Sequence, residues 1–105
     1  MGVSEGLRGF RRLQAGLAYN DIVEVWTALC EEKGLDPRDT QRFIRFLRYV
    51  DERKIRVNSL PVCPKMDGWR GELAQRAARF FKAPLITFVI RTDRSTLSKL
   101  AEFTG

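Results

Sequence analysis

Hydrophobic and polar positions alternate with helical spacing along most of the chain, most clearly over residues 36–56. On a helical wheel at about 100° per residue, the apolar residues of this stretch fall on one side: Phe43, Phe46, Leu47 and Val50. Asp36 is a good N-cap, and Pro37 suits the first helical position because the N–H that proline lacks has no partner there. The pattern predicts one long amphipathic helix over residues 36–56 with its apolar face on a core.

A shorter helix is predicted just before it. Asn20 or Asp21 can cap its first turn, and it runs to about Lys33, where Gly34 supplies the left-handed residue that often ends a helix. Leu35 follows as the apolar residue that packs back on the last turn. The apolar face consists of Ile22, Val25, Trp26, Leu29 and Cys30. Because few residues separate the two helices, they must meet at a corner.

Two helices and one strand are predicted in the second half of the chain. One helix covers residues 69–82 and ends before Pro84, and the last helix begins at a cap formed by Asp93 or Ser95. Between them, residues 85–90 are β-branched, aromatic or otherwise apolar with one exception, which favours a buried strand. A short buried helix is the alternative for these six positions.

A strand at residues 85–90 needs a partner, and the candidates are residues 55–57 and 60–63. We therefore expect a small antiparallel pair. Residues 58–66 contain two prolines, which predicts a loop or an irregular hairpin. Residues 5–18 form an amphipathic pattern softened by glycine, either a docking helix or a basic arm that orders on a partner.

Length and composition indicate one domain over residues 1–105, with residues 1–19 as the docking or arm segment. Hydrophobic residues make up 44% of the chain, which is ordinary for a folded protein. The expected fold class is mainly α, with four to five helices around one core. A helix-turn-helix corner is expected within it, together with at most a small two-stranded β ribbon.

The inventory of catalytic residues is short. The chain has no histidine, and its two cysteines, Cys30 and Cys63, do not have metal-ligand spacing. It contains no phosphate-binding loop, nucleotide fingerprint or nucleophile elbow. We therefore expect no enzymatic activity, no cofactor and no metal. Both cysteines are expected to be reduced in a cytoplasmic setting, and no apolar run is long enough to span a membrane.

Charge supplies the positive signal. The net charge is +6 and 14 of the 19 basic residues are arginine, which favours partners that carry phosphate or carboxylate groups. One stripe of the 36–56 helix is almost purely basic: Arg38, Arg42, Arg45, Tyr49, Arg53 and Arg56. The stripe can be a solvated face, a nucleic-acid contact or the contact for an acidic protein. Arg48 stands beside Asp51 and Glu52, so salt bridges are expected there.

The corner and the helix after it resemble a helix-turn-helix DNA-binding unit. The resemblance rests on the apolar, small and glycine positions of that motif: Leu29, Cys30, Gly34, Leu35 and Phe43. Lys33 and Thr40 stand where apolar residues are usual. The resemblance implies that Arg38, Gln41, Arg42 and Arg45 face the DNA groove. It also implies that Arg53 and Arg56 meet phosphates and that the 58–66 loop acts as a wing.

The first functional hypothesis is a small DNA-binding regulator that uses the 36–56 helix. A second is an adaptor or inhibitor that docks on an acidic surface of a larger complex. A third is RNA binding, in which Tyr49 stacks on a base. A homodimer would suit readout of a palindromic site.

Overall fold

Four helices and a three-stranded sheet make up the part of the chain that the computed structural model describes, residues 19–60, 68–83 and 87–105. In chain order the elements are β1 (Tyr19–Asp21), α1 (Ile22–Lys33), α2 (Thr40–Glu52), β2 (Val57–Leu60), α3 (Gly68–Phe80), β3 (Thr87–Arg91) and α4 (Arg94–Ala101). The predicted helix or arm at residues 5–18 lies outside the described residues. So do Cys63 and most of the predicted wing loop.

The sheet makes this an α+β fold, so the expectation of a mainly α fold with at most a two-stranded ribbon is wrong. β3 is the central strand, and it pairs antiparallel with β1 on one side and β2 on the other. In the register of the sheet, Asn20 lies opposite Ile90, and Asn58 lies opposite Val89. β3 overlaps the apolar run 85–90 that predicted a strand and ends one residue beyond it, at Arg91. Its partner β2 joins parts of both candidate segments, whereas β1 was not foreseen.

α1 is the central helix, and its prediction is confirmed at both ends. Asp21 caps it by accepting hydrogen bonds from the N–H groups of Val23 (2.8 Å) and Glu24 (3.4 Å). Burial raises the pKa of Asp21, although these two hydrogen bonds act in the opposite direction. Gly34 ends the helix with φ 68°, in the left-handed region where glycine is favoured. The expected apolar face is buried, and so are Val23 and Ala28, which leaves only a narrow polar side.

α2 begins at Thr40, four residues later than the pattern predicts. The side chain of Asp36 closes a turn by accepting from the N–H of Arg38 at 3.0 Å, and Asp39 provides the N-cap by accepting from the N–H of Arg42 at 3.1 Å. The indole N–H of Trp26 donates to the Pro37 carbonyl oxygen at 2.8 Å. This bond occupies an acceptor that a helix starting at Asp36 would use. The connection from α1 is therefore six residues long, 34–39.

The end of α2 also comes earlier than predicted. Arg53 is the C-cap, and Lys54 adopts the left-handed conformation with φ 59°. The N–H of Ile55 then returns to the Val50 carbonyl oxygen at 3.1 Å, and the Ile55 side chain is buried. This geometry is typical of a helix C-terminus closed by a residue in the left-handed region. Arg56 consequently lies beyond the helix, just before β2.

α1 and α3 pack against β3, and α2 packs on α3 and on Trp26 of α1. The fully buried Trp26 ring lies 5.8 Å from Phe43 and 5.1 Å from Phe46, measured between ring centroids. Phe103, which follows α4, completes this aromatic cluster at 6.1 Å from Trp26 and 5.7 Å from Phe46. The cluster fixes α2 with its apolar side inward and its basic side outward, as the sequence pattern predicts.

Side chains from α1 and α2 satisfy the carbonyl groups at the C-terminal end of α4. Lys33 Nζ donates to the Ala101 carbonyl oxygen at 2.8 Å, and the Tyr49 hydroxyl donates to the Lys99 carbonyl oxygen. A cation is favourable at a helix C-terminus because of the helix dipole. At the other end of α4, Asp93 accepts from the N–H of Thr96 at 2.8 Å. This bond, and a second one from the Thr96 side chain, lower the pKa of Asp93.

Candidate functional site

The outward side of α2 is divided between two neighbours, the C-terminal segment 103–105 and helix α3. Residues three or four apart share one side of a helix, whereas adjacent residues diverge by about 100°. Arg42 and Tyr49 therefore turn towards the C-terminal segment, and Gln41 and Arg48 turn towards α3. Arg45 lies between the two sides and contacts both.

On the C-terminal side, the basic residues already have partners within the protein. Arg42 pairs with Asp39 at 3.4 Å, and both side chains are partly exposed. Arg45 Nη1 donates to the carbonyl oxygen of Gly105 at 3.0 Å. Arg42 and Arg45 of the predicted stripe thus help to hold the start of α2 and the C-terminal residues in place.

Tyr49 is part of the packing and not a free stacking platform. Its ring contacts Phe103 at a centroid distance of 5.2 Å, and the Arg53 guanidinium lies over the ring at 5.0 Å. Its hydroxyl donates to α4, and the residue is half-buried. A base stacking on this ring would have to displace Arg53 or the C-terminal segment. The prediction that Tyr49 contacts nucleic acid therefore gains no support from its surroundings.

On the other side, α2 and α3 form the walls of an open groove of about 420 Å³. Its lining residues are Thr40, Gln41, Ile44, Arg45 and Arg48 from α2 and Arg76 from α3. The α2 residues form two neighbouring rows with spacings of three or four, one of residues 40, 44 and 48 and one of residues 41, 45 and 48, so they make one band that faces α3. The three arginines and Gln41 are exposed, while Thr40 and Ile44 are half-buried.

The groove is positively charged because its lining contains three arginines and no carboxylate. Within the described ranges, ion pairs join Arg42 to Asp39 and Arg91 to Asp93, so neither uses an arginine of the groove. The salt bridges expected between Arg48 and its acidic neighbours Asp51 and Glu52 are not formed. Arg48 and Arg76 have no ion-pair partner among the described residues, and Arg45 donates to the main-chain oxygen of Gly105. Positive charges that line one groove favour an anionic ligand between them.

The structure brings together only part of the predicted site. Of the seven predicted residues, Gln41 and Arg45 lie in the groove. Arg42 and Tyr49 lie on the side of α2 that faces the C-terminal segment. The remaining three are exposed near the two ends of α2: Arg38, Arg53 and Arg56. Two of the three groove arginines, Arg48 and Arg76, were not predicted, and neither were Thr40 and Ile44. The signal for Arg76 was its place at the edge of the apolar face of α3. The signal for Arg48 was hidden by its acidic neighbours in sequence.

The described residues offer little for catalysis. They contain no group of three or more cysteine, aspartate or glutamate side chains that could hold a metal ion. Cys30 is a buried free thiol, and burial raises its pKa to about 12, so it is not a nucleophile at neutral pH. Burial also raises the pKa of Glu32, whose Oε2 has no hydrogen-bond partner in this part of the chain.

Comparison with known proteins finds no match: no family model, curated protein or solved structure is significantly similar to this chain. Of the helices in residues 19–60, 68–83 and 87–105, none is both long and apolar enough to cross a membrane. The geometry and charge of the groove therefore carry the functional proposal.

Proposed function

We propose that this protein binds nucleic acid, with duplex DNA as the preferred form, through the outward side of α2, and that it acts as a DNA-binding regulator in the cytoplasm. The observation that carries the proposal is the groove beside α2, which is lined by Arg45, Arg48 and Arg76 without a neutralising carboxylate. Phosphate contacts from arginine supply most of the affinity of proteins for nucleic acid.

The shape of α2 favours duplex DNA. The helix has 13 residues and an outward side that carries Gln41, Arg45 and Arg48, and the major groove of DNA admits an α-helix. Arginine and glutamine are the side chains that read guanine and adenine edges there. RNA binding has less support, because the aromatic ring that would stack on a base is held by Phe103 and Arg53.

The test is fluorescence anisotropy with a labelled duplex of mixed sequence, measured from about 50 to 200 mM salt, where phosphate contacts dominate. The variant Arg45→Gln/Arg48→Gln removes two groove charges. Each phosphate that the protein neutralises contributes about 0.9 to the steepness of log K against log salt, so the slope should become shallower by about 0.9 if the two arginines share one phosphate and by about 1.8 if they contact two. The advantage of the wild type over the variant should accordingly shrink about 3.5-fold to 12-fold between the two salt concentrations.

The matched control is Arg91→Gln/Arg94→Gln, which removes the same charge from two exposed arginines outside the groove. It should change the slope much less. Equal effects of the two double variants would show that only net charge matters and would refute a binding surface on α2. Stronger binding to single-stranded DNA or RNA than to the duplex would show that duplex DNA is not the preferred ligand. Tight, salt-insensitive binding to an acidic protein would favour the adaptor hypothesis.

A further inference from the structure

The groove has two walls, and the second wall belongs to α3. Arg45 and Arg48 are three residues apart on α2, so they project from the same side of that helix. Arg76 reaches the same groove from α3, which packs against α2. A ligand seated there contacts both helices, whereas the predicted binding surface was confined to one helix.

We propose that this groove is a phosphate-binding site in which Arg45 and Arg48 of α2 and Arg76 of α3 hold a phosphate group of the bound strand. The inference rests on the proposed function and deepens it, because it makes α3 a part of the interface. The shared chemistry is a phosphate group, which is either an internal phosphodiester or a terminal phosphate.

The donor geometry fits this ligand. Each guanidinium carries five N–H donors in a planar fork that matches two oxygens of one phosphate. Arg45 uses one of these donors for the Gly105 carbonyl oxygen, and its others stay available. The Gly105 oxygen also restrains the Arg45 side chain, which lowers the entropy lost when an anion binds.

The open groove has room for more than a phosphate group. Its volume of about 420 Å³ lies within the range of sites for small organic ligands. Besides the arginines, the lining offers the Thr40 hydroxyl, the Gln41 amide and the apolar side chain of Ile44. A sugar attached to the phosphate would meet both polar and apolar partners there, so a nucleotide unit is a better fit than an isolated anion.

Charge separates the two sources of the phosphate. An internal phosphodiester carries one negative charge, whereas a terminal phosphate carries about −1.5 to −2 near pH 7 and has three free oxygens. Three arginines exceed the charge of one phosphodiester. The groove should therefore bind a terminal phosphate more tightly than an internal phosphodiester. A strand bound through an internal phosphodiester would bring a second phosphate to the rim of the groove.

The decisive comparison is Arg76→Gln against Arg79→Gln in the full chain. Both residues are exposed arginines of α3, and Arg79 does not line the groove. Loss of Arg76 should weaken binding to the duplex at 50 mM salt and make the salt slope shallower by up to about 0.9, which corresponds to an advantage of the wild type that shrinks by up to about 3.5-fold between 50 and 200 mM salt. Arg79→Gln should leave the slope unchanged. Equal slopes for the two variants would overturn the α3 contact even if Arg45 and Arg48 prove essential.

Duplexes with and without a 5′-phosphate identify the source. A terminal phosphate should raise the affinity of the wild type but not of Arg76→Gln, whereas an internal phosphodiester should give equal affinities for both duplexes. NMR signals of the arginine Nε–H groups, followed during titration with inorganic phosphate, test the site without nucleic acid. If inorganic phosphate shifts the signals of the groove arginines but the protein does not bind DNA, the proposed function is refuted and the phosphate site stands. Unshifted groove signals would overturn the phosphate site.

Discussion

Replacing Phe103 by alanine tests how the C-terminal segment holds α2 in place. The side chain is 4% exposed and packs against Trp26, Phe46 and Tyr49 at centroid distances of 6.1, 5.7 and 5.2 Å. Removing a buried phenylalanine typically lowers the free energy of unfolding by about 3–5 kcal/mol, because transfer free energy and packing are both lost. Total stabilities are commonly about 5–15 kcal/mol, so Phe103→Ala should remove a large fraction.

Urea unfolding followed by tryptophan fluorescence measures this loss, and Trp26 reports directly on the cluster. In thermal unfolding, a loss of about 3 kcal/mol should lower Tm by at least about 12 °C for a chain of this size. The control is Leu60→Ala, because Leu60 is a large apolar residue that is 43% exposed, and its loss should change stability by about 0.5 kcal/mol or less. A Phe103→Ala loss below about 1 kcal/mol would refute the docking of residues 103–105 on α2.

Three further predictions concern single side chains. Tyr49→Phe should lower the free energy of unfolding by about 0.5–1.5 kcal/mol in urea, because the Lys99 carbonyl oxygen loses one of its two donors and keeps the N–H of Glu102 at 3.2 Å. DNA affinity should stay unchanged, and a loss of affinity without a loss of stability would restore Tyr49 as a contact. Asp93→Asn should lower the free energy of unfolding near pH 7 but not near pH 2, because a carboxyl with a lowered pKa stabilises the fold only when it is ionised. Asp21→Asn removes a carboxyl with a raised pKa, so its effect on the free energy of unfolding, relative to the wild type, should be more favourable near pH 7 than near pH 2. Unfolding of each variant and of the wild type at pH 7 and pH 2 tests the two predictions. A substitution that changes the free energy of unfolding equally at both pH values would contradict its prediction. In a Cys63→Ser background, Cys30 should react with a maleimide only after unfolding, and rapid labelling of the native protein would contradict its burial.

Helical periodicity and capping residues predicted the described helices well. The cap at Gly34 is confirmed, and of the two candidates named for each of the other caps the structure selects Asp21 over Asn20 and Asp93 over Ser95. The predicted start of α2 was wrong because Asp36 and Asp39 are both good N-caps. The hydrogen bond from Trp26 to the Pro37 carbonyl oxygen favours Asp39, and these two residues are eleven positions apart in sequence. A bond of this kind cannot be read from local sequence.

The sheet was underestimated because two of its strands carry weak patterns. β1 has three residues and runs directly into the cap of α1, and β2 has polar residues at two of its four positions. Both strands are specified by pairing with β3, which is a tertiary contact. The apolar composition of β3 was the one strand signal available in the sequence.

The candidate site was half predictable. A wheel shows which residues of α2 face outward, and Gln41 and Arg45 were found in this way. It does not show which neighbour covers each part of that outward side. The packing of Phe103 takes Tyr49 out of the predicted surface, and the packing of α3 brings in Arg76. Both events depend on segments that are far from α2 in sequence.

The salt dependence of duplex DNA binding by the wild-type protein tests the central claim most directly. With at least one phosphate held by the groove arginines, the slope of log K against log salt should be about −0.9 or steeper, and binding should be evident at about 50 mM salt. No binding to duplex DNA at that salt concentration would contradict the account, and so would binding whose affinity does not change with salt.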